Sequence, residues 1–182
     1  MRKVILAINM SIDGCVGHMS LPGPDEEVGG YFNVLMNQDV DLIAYGRKMY
    51  EIMFPYWADE ANWNDELDTE FGQRLTALDK VVFSRTLANA EYNTRVVSTD
   101  PAAELLKLKQ TPGKNIYLGT VSMIPQLAQA GVIDEYHLVV HPVIVGRGTR
   151  LVEGSLPERL QLKLVESKVF KSGAVALRYL KQ

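Results

Sequence analysis

Cysteine is nearly absent: the 182 residues contain one, Cys15. No disulfide can form within the chain, which excludes the small folds that depend on them. Histidine is almost as scarce, and His18, His137 and His141 share no short segment. No Cys/His cluster has the spacing of a zinc site, so no metal is expected. Positive charge is also in deficit, with 19 basic against 22 acidic residues and a net charge of −3. A chain without a broad positive field is a poor match for DNA or RNA, and any anionic partner must be held by a few local residues. Long apolar runs are missing too. The run over 4–8 is too short for a signal sequence and is soon followed by Asp13, so the chain reads as soluble and cytoplasmic, with no membrane partner. Dinucleotide and mononucleotide fingerprints are absent, since no G-x-G-x-x-G follows a strand pattern and no Walker lysine motif occurs.

What is present is the composition of one ordinary globular domain spanning 1–182, with 47% hydrophobic and 23% charged residues. A chain of this length can bury roughly 70% of its unfolded surface, enough for a real core. Short apolar runs VILAINM, DLIAYG, KVVFS, RVVS and NIYLG predict five buried strands. Helical spacing predicts helices over 25–37, over 47–53, over 65–78 and after Asp100, where Pro101 occupies a first-turn position that tolerates it. A last helix is expected to begin near Ser122, because Pro125 must lie in its first turn, and to stop at Gly131. The aromatic and acidic stretch from Phe54 reads as a loop or flap, and 21–24 as a Gly/Pro-rich loop. Three further strands are expected over 136–145, 160–170 and 174–180, with Lys171, Ser172 and Gly173 in a tight turn. Strand and helix alternation followed by a hairpin predicts a three-layer α/β domain. Its sheet is mixed and mostly parallel, of about eight strands, with a C-terminal antiparallel hairpin.

Ligands of such sheets gather beyond the carboxyl ends of parallel strands. Three of those ends suit phosphate. Gly46 and Arg47 precede a helix start, Arg85 stands between the hydroxyls of Ser84 and Thr86, and Gly119 precedes another helix. Each also has a plain structural reading, as a turn glycine or a solvated arginine. Gly146, Arg147 and Gly148 look like a phosphate loop but fit a turn in the antiparallel half.

The segments ILAINMSIDGCVG (5–17), DLIAYGRKMYE (41–51), KVVFSRTL (80–87) and IYLGTVSMIPQLAQAGVIDEYHLVVHPVIVGRGTRL (116–151) resemble, in order and spacing, the dihydrofolate reductase superfamily. The similarity is greatest to its branch containing the reductase domain of riboflavin biosynthesis. The resemblance implies an NADPH-dependent reductase, usually a homodimer in this branch, acting on a small-molecule substrate. It implies that Gly46, Arg47 and Lys48 meet the cofactor phosphates and that Ser84 and Arg85 read the 2′-phosphate. Gly119, Thr120, Val121, Ser122 and Met123 would cradle the pyrophosphate, with Asn9, Val16 and Gly17 beside the nicotinamide. One departure stands out. Folate-reducing members carry Gly-Gly, joined by a cis bond, where this chain has Gly119 and Thr120, and a non-proline cis bond costs about 3 to 4 kcal/mol.

The substrate side rests on fewer residues. The superfamily's folate enzymes use an acid on the first helix as proton source, and of Asp25, Glu26 and Glu27 the chosen counterpart is Glu27. All three also suit a helix N-terminus by charge alone. Tyr56, Trp57 and Trp63 could stack on a flat ring or serve packing. Cys15 lacks a base, so thiol catalysis is not expected. The expected activity is hydride transfer to a small heterocyclic or ribosyl compound, most like 5-amino-6-(5-phosphoribosylamino)uracil reductase. Its alternatives are dihydrofolate reduction and a non-catalytic nucleotide-binding module on the same fold.

Overall fold

The computed structural model of the chain describes residues 1–17, 21–23, 25–153, 156 and 158–182, with Gln38 described by its backbone. His18 and Pro24 therefore lie outside the described residues. Eight strands are formed: β1 (Val4–Ser11), β2 (Val40–Gly46), β3 (Asp79–Phe83), β4 (Thr94–Val97), β5 (Asn115–Gly119), β6 (Glu135–His141), β7 (Leu162–Val169) and β8 (Val175–Lys181). They make one sheet in the order β4-β3-β2-β5-β1-β6-β8-β7. Every pairing from β4 across to β6 is parallel, whereas β8 runs antiparallel to both β6 and β7. The cause lies in the connections: helical crossovers return the chain in the same direction, and the turn at Lys171–Gly173 reverses it. Gly173 takes φ 84°, which suits a residue without a Cβ.

Among the described residues five α-helices accompany the sheet, α1 (Glu26–Asp39), α2 (Arg47–Ala58), α3 (Glu66–Ala77), α4 (Pro101–Lys109) and α5 (Ile124–Gln129), with one 3₁₀ turn, Glu60–Asn62, between α2 and α3. Side chains alternate across β2, so successive residues feed different cores. Ile43 and Tyr45 pack with Met36, Tyr50, Phe54 and Leu75 of α1, α2 and α3. Leu42 and Ala44 pack on the opposite face with Leu105 of α4 and Leu127 of α5. Three layers result. Asp25, Asp65 and Asp100 start α1, α3 and α4, each carboxylate accepting a backbone N–H, from Val28, Asp68 and Ala103 respectively, at 2.8 Å.

Three element boundaries differ from the sequence reading. The stretch beginning at Phe54 is not a loop at first: α2 continues to Ala58 with Pro55 inside it. Burial overrides the proline, since Phe54 is held by a stacked contact with Tyr50, 5.2 Å between centroids, and Tyr45 meets Tyr50 edge-on. Helix α5 begins at Ile124 instead of Ser122, and Ser122 and Met123 form a turn before it. Strand β6 ends at His141 instead of running to 145, because the next residue, Pro142, offers no N–H to extend a ladder.

Candidate active site

Asp13 organises the loop after β1. Its carboxylate accepts from Ser11 Oγ at 2.7 Å and from the backbone N–H groups of Val145 and Gly146 at 3.0 and 2.8 Å. The serine hydroxyl first, and then those amides, hold the Asp13 carboxyl well below the usual carboxylate range. Gly146 and Gly148 both have positive φ, in keeping with the turn expected of that segment. Val16, whose N–H donates to Thr149 O at 2.8 Å, is thereby fixed at the edge of a cavity.

That cavity, of about 310 Å³, lies between β1, β2 and β5 on one side and α1, α2 and α3 on the other. Helical periodicity builds its walls. Gly29, Phe32, Asn33 and Met36 form one stripe of α1, Met49, Met53 and Trp57 one stripe of α2, and Leu67, Phe71 and Leu75 one stripe of α3. The sheet contributes Ala7, Asn9, Tyr45, Tyr117 and Gly119. Two glycines at this rim have packing reasons. A Cβ on Gly46 would sit 2.6 Å from Thr120 Oγ1, and one on Gly119 would sit 2.5 Å from the Tyr45 ring, so β2 and β5 could not end side by side with larger residues. Among the described residues no peptide bond is cis, Gly119–Thr120 included.

The polar groups of the wall are few. His141 Nε2–H donates to Asn9 Oδ1 at 2.9 Å, and burial lowers the pKa of that imidazole. Asn33 donates to Leu67 O at 3.1 Å, while its buried Oδ1 has no partner. Asp68 accepts from the backbone N–H and the side chain of Asn64. It is the one carboxylate among the described wall residues. Tyr117 donates to Ala7 O at 3.1 Å, and burial pushes the phenols of Tyr45 and Tyr117 well above their ordinary range.

Several expected site residues do meet here. Asn9, Val16, Gly119, Thr120 and Trp57 line the cavity. Gly46, with Arg47 and Lys48 behind it, closes the neighbouring end of β2, and Ser84 and Arg85 follow β3, the next strand over. Val121, Ser122 and Met123 form the turn into α5, and Gly17 follows Val16 without being part of the wall. Arg47 is ion-paired with Glu51 at 2.9 Å, whereas Lys48 and Arg85 are exposed with no acidic partner among the described residues. Ser84 Oγ accepts from the N–H groups of Thr86 and Leu87, so it shapes the turn that presents Arg85.

On the substrate side, Glu27 and Tyr56 are not brought to the cavity. Glu27, expected as the proton source, is bound by the β7–β8 turn: its carboxylate accepts from Lys171 N–H at 2.7 Å and pairs with Lys171 Nζ at 3.5 Å. Helix geometry explains the miss, because the stripe of α1 that faces the cavity is the one through Gly29, Phe32, Asn33 and Met36. Tyr56 is likewise outside the wall and 46% exposed, next to the inward Trp57 on α2. Trp63 is structural: its Nε1–H donates to Trp57 O, and its ring covers Gly72 so closely that a Cβ there would lie 2.4 Å from it. Sequence reading missed Asn33, Met49, Met53, Asp68 and His141. Asn33 shares the stripe of α1 with Phe32 and Met36, Met49 and Met53 share that of α2, and Asp68 adjoins Leu67 on α3, so helical periodicity pointed to these four, whereas His141 left no such signal.

A second polar cluster lies under the other side of α1. Tyr31 OH donates to His137 Nδ1 at 2.5 Å, and His137 Nε2–H donates to Glu135 Oε1 at 2.8 Å. Glu135 also receives Arg178 Nε at 2.6 Å and Lys3 Nζ at 3.1 Å. The hydrogen bond from His137 first, reinforced by Arg178 and Lys3, holds the Glu135 carboxyl well below its ordinary range against the opposing effect of burial. Every member is paired, and none lines the cavity.

An apolar cavity with a few oriented polar groups, set at the carboxyl ends of β5, β1 and β2, defines a small-molecule-binding α/β domain of the kind that works beyond a parallel sheet. The comparisons give that class a family. The RibD C-terminal domain model matches residues 2–176, and the chain belongs to that family, of riboflavin-biosynthesis reductase type. It is 32% identical over 185 residues to the uncharacterized protein YyaP of Bacillus subtilis, covering 98% of this chain and 94% of the relative. Its fold is similar to that of a candidate riboflavin biosynthesis protein from Shewanella sp. PV-4, at 19% identity and TM-score 0.75, over 100% of this chain and 99% of the other. It is also similar in fold to a pyrimidine reductase-like protein from Corynebacterium diphtheriae, at 15% identity and TM-score 0.67, covering 100% and 92%. Among the described residues no helix is long and apolar enough to cross a membrane.

Proposed function

We propose that this protein is a cytoplasmic NADPH-dependent reductase of a small heterocyclic compound. The observation that carries the reading is the placement of the cavity at the ends of β2 and β5, which offer Gly46, Arg47 and Lys48 and then Gly119 and Thr120, with Ser84 and Arg85 at the end of β3, the next strand beyond β2. Exposed Lys48 and Arg85 fit an anionic dinucleotide in a chain that otherwise has no positive field. Bound nicotinamide supplies a hydride from its C4 to the carbon of a C=N or C=O bond, and a proton then completes the reduced group. Asn9 and Val16 fix one face of that reaction space, Trp57 and Phe71 exclude water from it, and Asp68 supplies the one carboxylate among the described wall residues. Arg85 reads the 2′-phosphate, because a guanidinium matches a phosphate in two parallel hydrogen bonds.

The active form is a homodimer. Strand β7 supports this: it closes the sheet with an edge that pairs only with β8 among the described strands, and Leu164, Val165 and Val169 are exposed on it. The test of cofactor use is a fluorescence titration with NADPH and NADH, repeated on Arg85→Ala. Tighter binding of NADPH, lost in the variant, is expected. Failure of both nucleotides at millimolar concentration would remove the reductase reading, and NADPH binding without turnover of any pterin or pyrimidinone would leave a nucleotide-binding module in its place.

A further inference from the structure

The charges that the cavity lacks narrow its substrate further than the reductase reading, on which this inference rests. Among the described wall residues there is no lysine, arginine or histidine, and the one fixed charge is the carboxylate of Asp68. Of the remaining positions none is lysine or arginine, and one, His18, is a histidine. A phosphate borne by the substrate would enter an apolar space without a counter-charge and facing a like one, which disfavours it on both counts.

The polar atoms that are present suit an uncharged ring. His141 takes Asn9 Oδ1, and Asn9 Nδ2 has no partner among the described residues, so the amide turns its donor end to the cavity it lines. Asn64 occupies Asp68 Oδ2 at 3.0 and 3.1 Å, and Asp68 Oδ1 has no such partner. The donor of Asn9 and the acceptor of Asp68, with the unpartnered Oδ1 of Asn33 deeper in the wall, thus stand among Phe32, Met36, Met53, Trp57 and Phe71.

We propose that the cavity takes a flat, unphosphorylated heterocycle, with a ring carbonyl or imine nitrogen accepting from Asn9 Nδ2 and a ring N–H or amino group donating to Asp68. Asn9 and Asp68 are then the residues that set specificity, and His141 is a positioning residue that acts through Asn9. A substrate carrying ribose 5-phosphate on the same ring is rejected.

Trp57 on the wall makes its own fluorescence the probe of occupancy. The holoprotein, saturated with NADP⁺, is titrated with 5,6-diaminouracil, with its 6-ribosylamino derivative and with the 5′-phosphate of that derivative. The base and the nucleoside are expected to bind about tenfold or more tighter than the phosphate. Asp68→Asn is expected to narrow the gap between base and phosphate without closing it, because the like charge is gone but no counter-charge is gained, and Asn9→Leu to weaken the base by about tenfold, the size expected for one lost hydrogen bond in an apolar site. His141→Phe is expected to weaken the base in the same way, whereas His141→Gln, which keeps a donor to Asn9, restores it. Equal or tighter binding of the phosphate overturns the proposal, as does failure of all three compounds to quench. Because Asp68→Asn tests the charge and Asn9→Leu the hydrogen bond, loss of either variant to misfolding leaves the other decisive. NADPH binding is measured separately: its absence, with the base still bound, would sink the reductase reading and spare the cavity's preference.

Discussion

The two sides of α1 face opposite solutions to one problem, the burial of polar groups. Toward β6 and β8, Tyr31, His137, Glu135, Arg178 and Lys3 satisfy one another completely. Toward β1, β2 and β5, Asn33 Oδ1 is buried without a partner and Asn9 and Asp68 are each only half used. The first arrangement stabilises a fold, since an ion pair in low dielectric holds only when every lone pair is met. The second is what a ligand completes. Polar satisfaction, more than residue type, separates structure from function here, and it tells the histidine that locks β6 to β8 from the one that aims Asn9.

The sharpest test of the paired side is Glu135→Ala. It strands His137, Arg178 and Lys3 around a buried vacancy, and a loss of about 3 to 5 kcal/mol is expected in urea or guanidinium unfolding. A loss below about 1 kcal/mol would mean that the network is not what joins β6 to β8.

Lys80 offers the contrasting case of a buried charge with no carboxylate in hydrogen-bond contact, held by carbonyls and by the face of the Phe54 ring, 5.3 Å from Nζ. It is 1% exposed and donates to Thr76 O and Leu78 O at the end of α3. Burial pulls its pKa from 10.5 down to about 8. The folded state therefore gives up this proton before the unfolded state does. The penalty is fully present below pH 8, and stability recovers as the pH rises from 8 to 10.5. Relative to Lys80→Met, the unaltered protein should gain on the order of 2 to 3 kcal/mol over that window. Parallel pH profiles for the two proteins would show that the lysine is better solvated than its surroundings suggest.

On the cavity side, Gly46→Ala places a methyl 2.6 Å from Thr120 Oγ1 and should cost about 1 to 3 kcal/mol. Adding Thr120→Ala should return most of it, a coupling readable in a double-mutant cycle. If the two losses simply add, the tight fit between β2 and β5 is not the reason for the glycine. The smallest effect is expected at Glu27. Glu27→Gln should leave turnover and substrate affinity unchanged, and a large drop in turnover would return the proton-donor role to the first turn of α1.

Much of the fold was legible from local pattern. The runs that became β1, β2, β3 and β5 are apolar because parallel strands are covered on both faces, and Asp100 with Pro101 starts α4 through purely local bonds. The strand ends that frame the site were legible for the same reason. Where the pattern misled, distant contacts had overruled it. The stretch from Phe54 reads as a loop until Phe54 is seen against Tyr92, and Glu27 reads as facing the substrate until its carboxylate is seen on Lys171, far along the chain.

By itself, then, the amino-acid sequence determined the class of fold, the order of strands and helices, and the few cations available to an anionic cofactor, because each depends on periodicity, turn chemistry and charge within a short window. Only the tertiary structure decided which polar groups are satisfied and which remain open. Asn9 and His141 lie far apart in the chain and meet because β1 pairs with β6. Asp68 reaches the same space because α3 packs against α1 and α2. A hydrogen bond between remote residues leaves no periodic trace in sequence, so the chemistry of the cavity could be read only once the strands were side by side.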